Sequence, residues 1–289
     1  MIVLFTDTDT DFTPEECKQY NMKLMSMPYS IGEEIFFPWV SFDNYDYKTF
    51  YNMLRNGIIP KTAALSVGEY INYFEPIFKE GNDIFYIHFS SALSGSFGAM
   101  QQAYEELKET YPDRKLYTLD TKMITIGSHV IVEQVAKKFM TGAPIDEVIA
   151  YGNDLVKHYA MYFFTEDLKF FAYSGRISNF AASMGRILGF RPFIYLNEEG
   201  KMIQFDKVRG TKSAVKYLVD KMVEIGDDVV NHPILIGHSD AGETVNVLAN
   251  AIKEKFGENI DLQIYVVNPT IGSHCGPQGV GVAFHSKGK

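Results

Sequence analysis

The chain has 289 residues, of which 46% are hydrophobic and 22% are charged, and its formal net charge at pH 7 is −9. This composition indicates a soluble globular protein of two domains, and the acidic balance with scattered basic residues argues against a nucleic-acid partner. The two cysteines lie far apart in sequence, which argues against a disulfide scaffold and against a structural zinc site. No basic residues precede the apolar stretch at the N-terminus, so it is not typical of an export signal, and we expect a cytoplasmic protein.

The first half of the chain alternates strands with helices. Strands are predicted at residues 2–5, 24–31, 83–89 and 115–119, and helices are predicted to begin at residue 14 and to cover 46–56, 67–80, 97–110 and 123–140. Capping boxes that begin at Thr13 and Ser66 mark two of the helix starts. Alternation of this kind predicts a parallel sheet covered on both faces, with ligands bound beyond the carboxyl ends of the strands.

The pattern changes near residue 158. Strands are predicted at residues 161–165, 193–196, 202–205, 233–237 and 262–267, and helices at 168–173, 178–188, 212–225 and 243–256. The turn at residues 197–200 makes the strands on either side of it antiparallel neighbours. We therefore predict an α/β protein with an N-terminal parallel-sheet domain, residues 1–158, and a C-terminal mixed-sheet domain, residues 159–289. Because no linker separates them, the ligand site is expected between them.

Four polar segments, predicted as loops, could carry chemistry: residues 61–66, 90–96, 173–178 and 271–279. His274 lies among glycines and a proline, and a titratable side chain on such bent backbone suggests a binding role, although loop histidines are often ordinary surface residues. Ser91 and Ser94 lie between a strand and a helix, where hydroxyl and amide donors suit an anion. Ser66 and Ser96 fit helix caps equally well.

Other motifs are incomplete. Ser94 lacks the glycine pattern of a nucleophile elbow, and neither a phosphate-binding loop nor a dinucleotide fingerprint is present in the sequence. A self-contained serine hydrolase or acyltransferase using Ser94 and His274 remains an alternative. The segment 238–240 is predicted to cap a helix rather than form a catalytic triad. Asp7, Asp9 and Asp11 lack the further ligands of a calcium loop, so a solvated turn without metal is expected.

Together, residues 90–96, 174–177 and 271–277 resemble the DegV family in motif, order and interval, over nearly the whole chain. This family includes the fatty-acid-binding subunits of bacterial fatty acid kinase. The resemblance implies an EDD fold of two α/β domains with a long-chain fatty acid buried between them. By position, Thr62 and Ser94 would bind its carboxylate, Ser91 and His274 would lie close by, and Arg176 and His274 would lie at the pocket mouth.

The resemblance also implies a role in phospholipid metabolism. The chain would be a binding subunit without a cofactor, and a separate ATP-binding kinase subunit would phosphorylate the bound carboxylate, with transient membrane contact. The sequence departs from the family at three places. Residues 62–66 read Thr-Ala-Ala-Leu-Ser where many members have Thr-Ser-Gln-Pro-Ser, Cys275 replaces a frequent threonine, and Gln278 replaces a frequent glycine. The first change removes the proline and the second hydroxyl of the Thr62 loop but keeps Thr62, and we expect the three changes to retune the pocket mouth without removing the binding role.

Overall fold

The first half of the chain forms two sheets. A computed structural model describes residues 1–166, 168–178 and 189–288. The strands of this half are β1 (Ile2–Asp7), β2 (Met22–Met25), β3 (Tyr29–Ile31), β4 (Glu34–Phe36), β5 (Lys61–Thr62), β6 (Asp83–His88) and β7 (Leu116–Asp120). Its helices are α1 (Pro14–Gln19), α2 (Tyr47–Arg55), α3 (Val67–Lys79), α4 (Ser96–Thr110), α5 (Thr125–Met140) and α6 (Ile145–His158).

The larger of these sheets has the order β2-β1-β6-β7, and all its pairings are parallel. Every residue of β6 after Asp83 is buried, which is typical of a strand covered on both faces. Helices α3 and α4 pack against each other, as do α5 and α6, and both pairs contact the sheet. The predicted parallel sheet is confirmed, although α6 was not predicted.

The segment predicted as one strand at residues 24–31 is two strands in different sheets. Strand β2 pairs with β1, whereas β3 lies between β4 and β5 in a small antiparallel sheet. Between them the chain leaves the first sheet, because the Met27 amide donates to Oγ1 of Thr8 at 2.9 Å and the Ser26 hydroxyl donates to the Pro38 carbonyl at 2.7 Å. These side-chain contacts replace strand pairing.

The second half forms a mixed sheet. Its strands are β8 (Tyr159–Phe164), β9 (Ile177–Ser178), β10 (Phe190–Leu196), β11 (Met202–Arg209), β12 (Ile234–His238), β13 (Leu262–Val266) and β14 (Val280–His285). Its helices are α7 (Lys169–Ser174), α8 (Thr211–Ile225), α9 (Gly242–Phe256) and α10 (Pro269–Cys275). The strand order is β13-β12-β14-β8-β10-β11-β9, and the predicted antiparallel hairpin is β10 with β11. Of the predicted helix at 178–188, Ser178 belongs to β9 and the remainder lies outside the described residues.

Helix α5 lies between the two large sheets and contacts β6 on one side and β8, β12 and β14 on the other. All its residues from Thr125 to Val132 are buried. One continuous core therefore includes Phe85 of the first sheet and Leu235 of the second. We retain residue 158 as the proposed domain boundary, next to the start of β8. In the described ranges, no helix has the length and apolarity needed to cross a membrane.

Candidate functional site

A cavity that opens to solvent lies beyond the carboxyl ends of β1 and β6, where both halves of the chain meet, and its space including the open mouth is about 510 Å³. Four of the residues proposed from the sequence line it, namely Thr62, Ser94, Arg176 and His274. The rest of its lining is Asp9, Met27, Ala63, Ala64, Phe89, Leu93, Ser96, Ile124, Met202, Thr270 and Ile271. We call this space the polar cavity.

His274 lies in the last turn of helix α10, so the prediction that residues 271–279 form a loop is wrong for residues 271–275. The Asn268 side chain caps this helix by accepting a hydrogen bond from the amide of Ile271, and Pro269 occupies the first helical turn. The helix ends at Gly276, whose φ of 67° ends the helical conformation. A short, well-capped helix thus fixes the direction of the imidazole.

The Thr62 hydroxyl and the His274 ring are hydrogen-bonded, with 2.9 Å between Oγ1 and Nε2. Thr62 lies in strand β5, not in the predicted loop, and pairing with β3 holds its backbone. Burial, and to a smaller extent the charge of Arg176, lower the pKa of His274 to about 4. The imidazole is therefore neutral near pH 7.

The tautomer of His274 follows from its surroundings. Its Nδ1 is buried and has no hydrogen-bond partner among the described residues. An unpaired N–H would be costly there, so the ring proton belongs on Nε2, where it is donated to Oγ1 of Thr62. The Thr62 hydroxyl then has its own proton free to donate to a ligand in the cavity.

Ser94 follows the 3-10 turn Ser91–Leu93 and precedes helix α4. Its hydroxyl donates to Oγ of Ser96 at 3.1 Å, and that oxygen accepts a hydrogen bond from the Leu65 amide at 3.2 Å. This network ties the Ser94 turn to the Thr62 segment. The Ser91 hydroxyl instead donates to Oδ2 of Asp120 at 2.6 Å, and Ser91 does not line the polar cavity.

Arg176 lies at the edge of the polar cavity with an exposed side chain. Its guanidinium donates a hydrogen bond to the carbonyl of Ser174. This contact anchors part of the side chain beside Gly175, whose φ of 66° ends helix α7. A cation is thereby held where the cavity meets the surface.

The solvated turn predicted for Asp7, Asp9 and Asp11 is wrong, since all three residues are at most 6% exposed. Distant partners bind two of them. Asp7 accepts hydrogen bonds from the Tyr86 hydroxyl at 2.8 Å and from the Phe89 amide at 3.4 Å. Asp11 accepts from the backbone amide of Asn268 at 2.9 Å and from its side-chain amide at 2.8 Å. Burial raises the pKa of both Asp7 and Asp11 to about 7.

A second cavity adjoins the polar one, and its space including the part open to solvent is about 450 Å³. Ile124, Met202 and Ile271 line both spaces. Its remaining lining is mainly apolar and comprises Thr125, Ile126, Met161, Phe163, Phe171, Gly237, Ser239, Val267, Cys275, Gly279, Val280 and Gly281. We call it the apolar cavity. The two spaces together suit a ligand with a polar head and a long apolar tail.

The geometry does not provide the arrangement that a serine hydrolase needs. Ser94 donates to Ser96 rather than to a base, and Nε2 of His274 is bonded to Thr62. Within the described ranges no carboxylate orients His274, because its Nδ1 has no partner.

Two further motifs of the sequence concern a metal site and a helix cap. In the same described ranges no group of His, Cys, Asp and Glu side chains could hold a metal ion. His238 accepts a hydrogen bond from the Ala241 amide, but Ala241 is the N-cap of α9 and makes no side-chain cap hydrogen bond, so the prediction that residues 238–240 cap this helix is wrong.

Comparisons with known proteins agree with this architecture. The family described as "Uncharacterised protein, DegV family" matches residues 1–287. The DegV domain-containing protein CPE0026 of Clostridium perfringens is 32% identical over 286 residues, which cover 98% of this chain and 96% of that protein.

Two solved structures have the same fold. A fatty-acid-binding DegV family protein from Thermus thermophilus has a TM-score of 0.86 at 20% identity and covers 99% of both chains. The Streptococcus pneumoniae Fatty Acid Kinase (Fak) B3 protein, loaded with linoleic acid, has a TM-score of 0.84 at 18% identity and covers 99% of this chain and 100% of that one. The match along nearly its full length shows that this chain belongs to the DegV family.

Proposed function

We propose that this protein binds a long-chain fatty acid and presents its carboxylate to a separate ATP-dependent kinase subunit, which converts it to an acyl phosphate. The observation that carries the proposal is the junction of the two cavities: hydroxyl donors and a neutral imidazole lie at one end, and apolar side chains line the other. The Thermus and Streptococcus relatives, which bind fatty acids, support it.

In this proposal the carboxylate lies between Thr62 and Ser94, with His274 holding the Thr62 hydroxyl in its donor orientation. Neutral donors stabilise the carboxylate without burying a second charge. The tail lies in the apolar cavity, where each buried methylene contributes about 0.8 kcal/mol. The tail thus supplies most of the affinity, and the head-group contacts fix which end faces the cavity mouth. Ser91 stays a proposed neighbour of the site, acting through the Ser94 turn.

Replacing Thr62 by valine is expected to weaken fatty-acid binding roughly 10- to 100-fold, because a hydrogen bond to a charged group is lost. Valine has nearly the shape of threonine, so the tail contacts should remain. The measurement is calorimetric titration of delipidated protein with dodecanoic acid. Thr62→Ser keeps the hydroxyl and should bind within about threefold of the native protein. If Thr62→Val and the native protein bind with equal affinity, the head-group site is contradicted. If the native protein copurifies without lipid and also fails to bind dodecanoic acid, fatty-acid binding itself is contradicted.

Arg176 is proposed to meet the kinase subunit or the transferring phosphate at the cavity mouth. Arg176→Ala is expected to lower kcat/KM for acyl phosphate formation about tenfold or more, while the gain in affinity with each added methylene stays unchanged, because the guanidinium is exposed outside the tail site. The assay couples the lipid-loaded protein to a fatty acid kinase subunit and ATP. Arg176→Lys, which retains the charge, should recover part of the rate. If the native complex forms no acyl phosphate with any such kinase, the protein stores lipid rather than presenting it.

A further inference from the structure

Asp9 is a buried carboxyl group that the proposed head-group site does not use. It is 5% exposed and lines the polar cavity together with Thr62, Ser94 and His274. Oδ1 of Asp9 and Oδ2 of Asp11 both lack a partner among the described residues, but Asp11 accepts two hydrogen bonds from Asn268 through its other oxygen and does not line the cavity, whereas Asp9 does. An unpaired carboxyl oxygen is costly in such a place unless a ligand satisfies it.

The charges around Asp9 make an ionised carboxylate unfavourable. The titratable and charged groups packed around its turn or facing it across the cavity are Asp7, Asp11, Glu16, Tyr70, Tyr86, His88, His129, His274 and Arg176. Burial lowers the pKa of His129 to about 3 and that of His274 to about 4, so both rings are neutral near pH 7. Arg176 is cationic, but its side chain is exposed at the cavity mouth.

A fatty-acid carboxylate bound at Thr62 and Ser94 would bring a second carboxyl group into the cavity that Asp9 lines. Two ionised carboxylates in one buried site repel each other, whereas a pair that shares one proton forms a hydrogen bond. Thr62 has a hydroxyl proton to donate, and Ser94 can donate its own by turning away from Ser96, but neither supplies the charge that would offset an ionised Asp9. A single proton on the pair removes the repulsion and satisfies the unpaired oxygen.

We propose that Asp9 is a further ligand of the fatty-acid head group, one that holds a proton and donates it in a hydrogen bond to the bound carboxylate. This inference rests on the proposed function and adds a requirement to it: the fatty acid binds together with one proton. The protein therefore holds its lipid more tightly in acidic than in alkaline solution. No covalent step is involved, since the proton moves from solvent to the pair on binding and returns on release.

The sign of the pH dependence follows from the carboxyl group. Burial, and then the charges of Asp7 and Asp11, raise the pKa of Asp9 well above its usual value. The bound carboxylate is a further negative charge and raises this pKa again. Below the pKa of Asp9 in the empty protein, the proton is already present and affinity is constant. Above it, binding must take up a proton, so the Kd should rise about tenfold per pH unit until the pKa in the complex is passed.

The experiment is calorimetric titration of delipidated protein with dodecanoic acid between about pH 6 and pH 9, repeated in buffers of different ionisation enthalpy to count protons. In the native protein we expect a region where the Kd rises about tenfold per pH unit and where one proton is taken up. Asp9→Asn keeps the shape and an N–H donor but cannot titrate, so its Kd should be nearly constant and lower than that of native protein at the alkaline end. Asp11→Asn removes a neighbouring buried carboxyl outside the cavity lining and should keep the native slope.

A second ligand keeps the test independent of whether Asp9→Asn folds. Dodecanamide has the same tail, carries no charge and donates N–H groups to an ionised Asp9. Its affinity for native protein should not fall with pH, so the preference for acid over amide should decline as pH rises. A native Kd for dodecanoic acid that is flat with pH and unchanged by Asp9→Asn, or an Asp9→Asn variant with the native slope, would overturn the role of Asp9 while leaving fatty-acid binding intact. Failure of the acid to bind native protein at any pH would instead overturn the proposed function.

Discussion

A tryptophan in place of Met202 is expected to abolish the gain in affinity that a longer acyl chain brings. Met202 is 5% exposed in β11 and lines both the polar and the apolar cavity, so an indole at this position is expected to fill space where the two adjoin. In the proposed complex each methylene that enters the apolar cavity of the native protein should contribute about 0.8 kcal/mol, or about fourfold in Kd. Lengthening decanoic acid to hexadecanoic acid should therefore strengthen binding about 1,000-fold or more.

In Met202→Trp the same series should show nearly constant and weak affinity, because only the head group and the first methylenes fit. Calorimetric titration with decanoic, dodecanoic, tetradecanoic and hexadecanoic acids measures this slope. Met202→Leu conserves side-chain volume and should keep the native slope with little loss of stability. A Met202→Trp variant that still gains affinity with every added methylene would show that the tail follows another route.

Gly276→Ala is expected to lower the free energy of unfolding by about 2–4 kcal/mol. Gly276 has φ 67° and ψ −177°, a conformation that glycine adopts readily and other residues do not. A Cβ at this position would also overlap the ring of Phe170, which is buried in helix α7. Both strains act directly after helix α10, so the variant should also bind fatty acid more weakly through displacement of His274.

Urea denaturation of the native and variant proteins measures the difference in unfolding free energy. Gly98→Ala is a suitable control, because Gly98 lies inside helix α4 and an added Cβ meets no atom within 4 Å. This control should be neutral or stabilise the protein by up to about 1 kcal/mol. If Gly276→Ala unfolds like the control, α7 has room to move and the close packing of Phe170 does not fix the end of α10.

Local patterns in the sequence predicted most of the sheet-forming elements. Both proposed capping boxes, at Thr13 and Ser66, are present with their reciprocal hydrogen bonds. The turn at residues 197–200 joins antiparallel strands as expected. Such features depend on residues within a few positions of each other, which is why sequence alone revealed them.

Helix α10 was missed although its start has a readable signal, an asparagine cap at Asn268 followed by Pro269. The glycines at 272 and 276 favoured a loop instead. Packing explains why Gly272 is compatible with this helix: a Cβ there would lie 2.7 Å from the Tyr51 hydroxyl oxygen, so glycine permits close contact with α2. Strand β14 was missed for a similar reason, since Gly281 interrupts its apolar run and approaches Phe163 closely.

The burial of the aspartates had no local signal at all. Asp11 pairs with Asn268 across 257 positions, and Asp7 pairs with Tyr86 across 79. In the sequence alone, aspartates that alternate after a strand have the pattern of a solvated turn. Only the distant hydrogen-bond donors in the structure show that these aspartates are buried. The roles of Thr62, Ser94, Ser91, Arg176 and His274 came from family resemblance and stay predictions; the structure brings all of them except Ser91 to one cavity.

The position of β14 bears on how the protein folds during synthesis. The strands of the first large sheet are complete by Asp120, but β14, translated after every other strand, lies between β12 and β8 in the second sheet. Until it emerges from the ribosome, the edges of β8 and β12 that it will cover remain unpaired, and exposed strand edges invite association with other chains. His274, which closes the contact with Thr62 across 212 positions, is translated just before it. The proposed lipid site can therefore form only after β14 has been translated, and a nascent chain halted before β14 should be the species most in need of a chaperone.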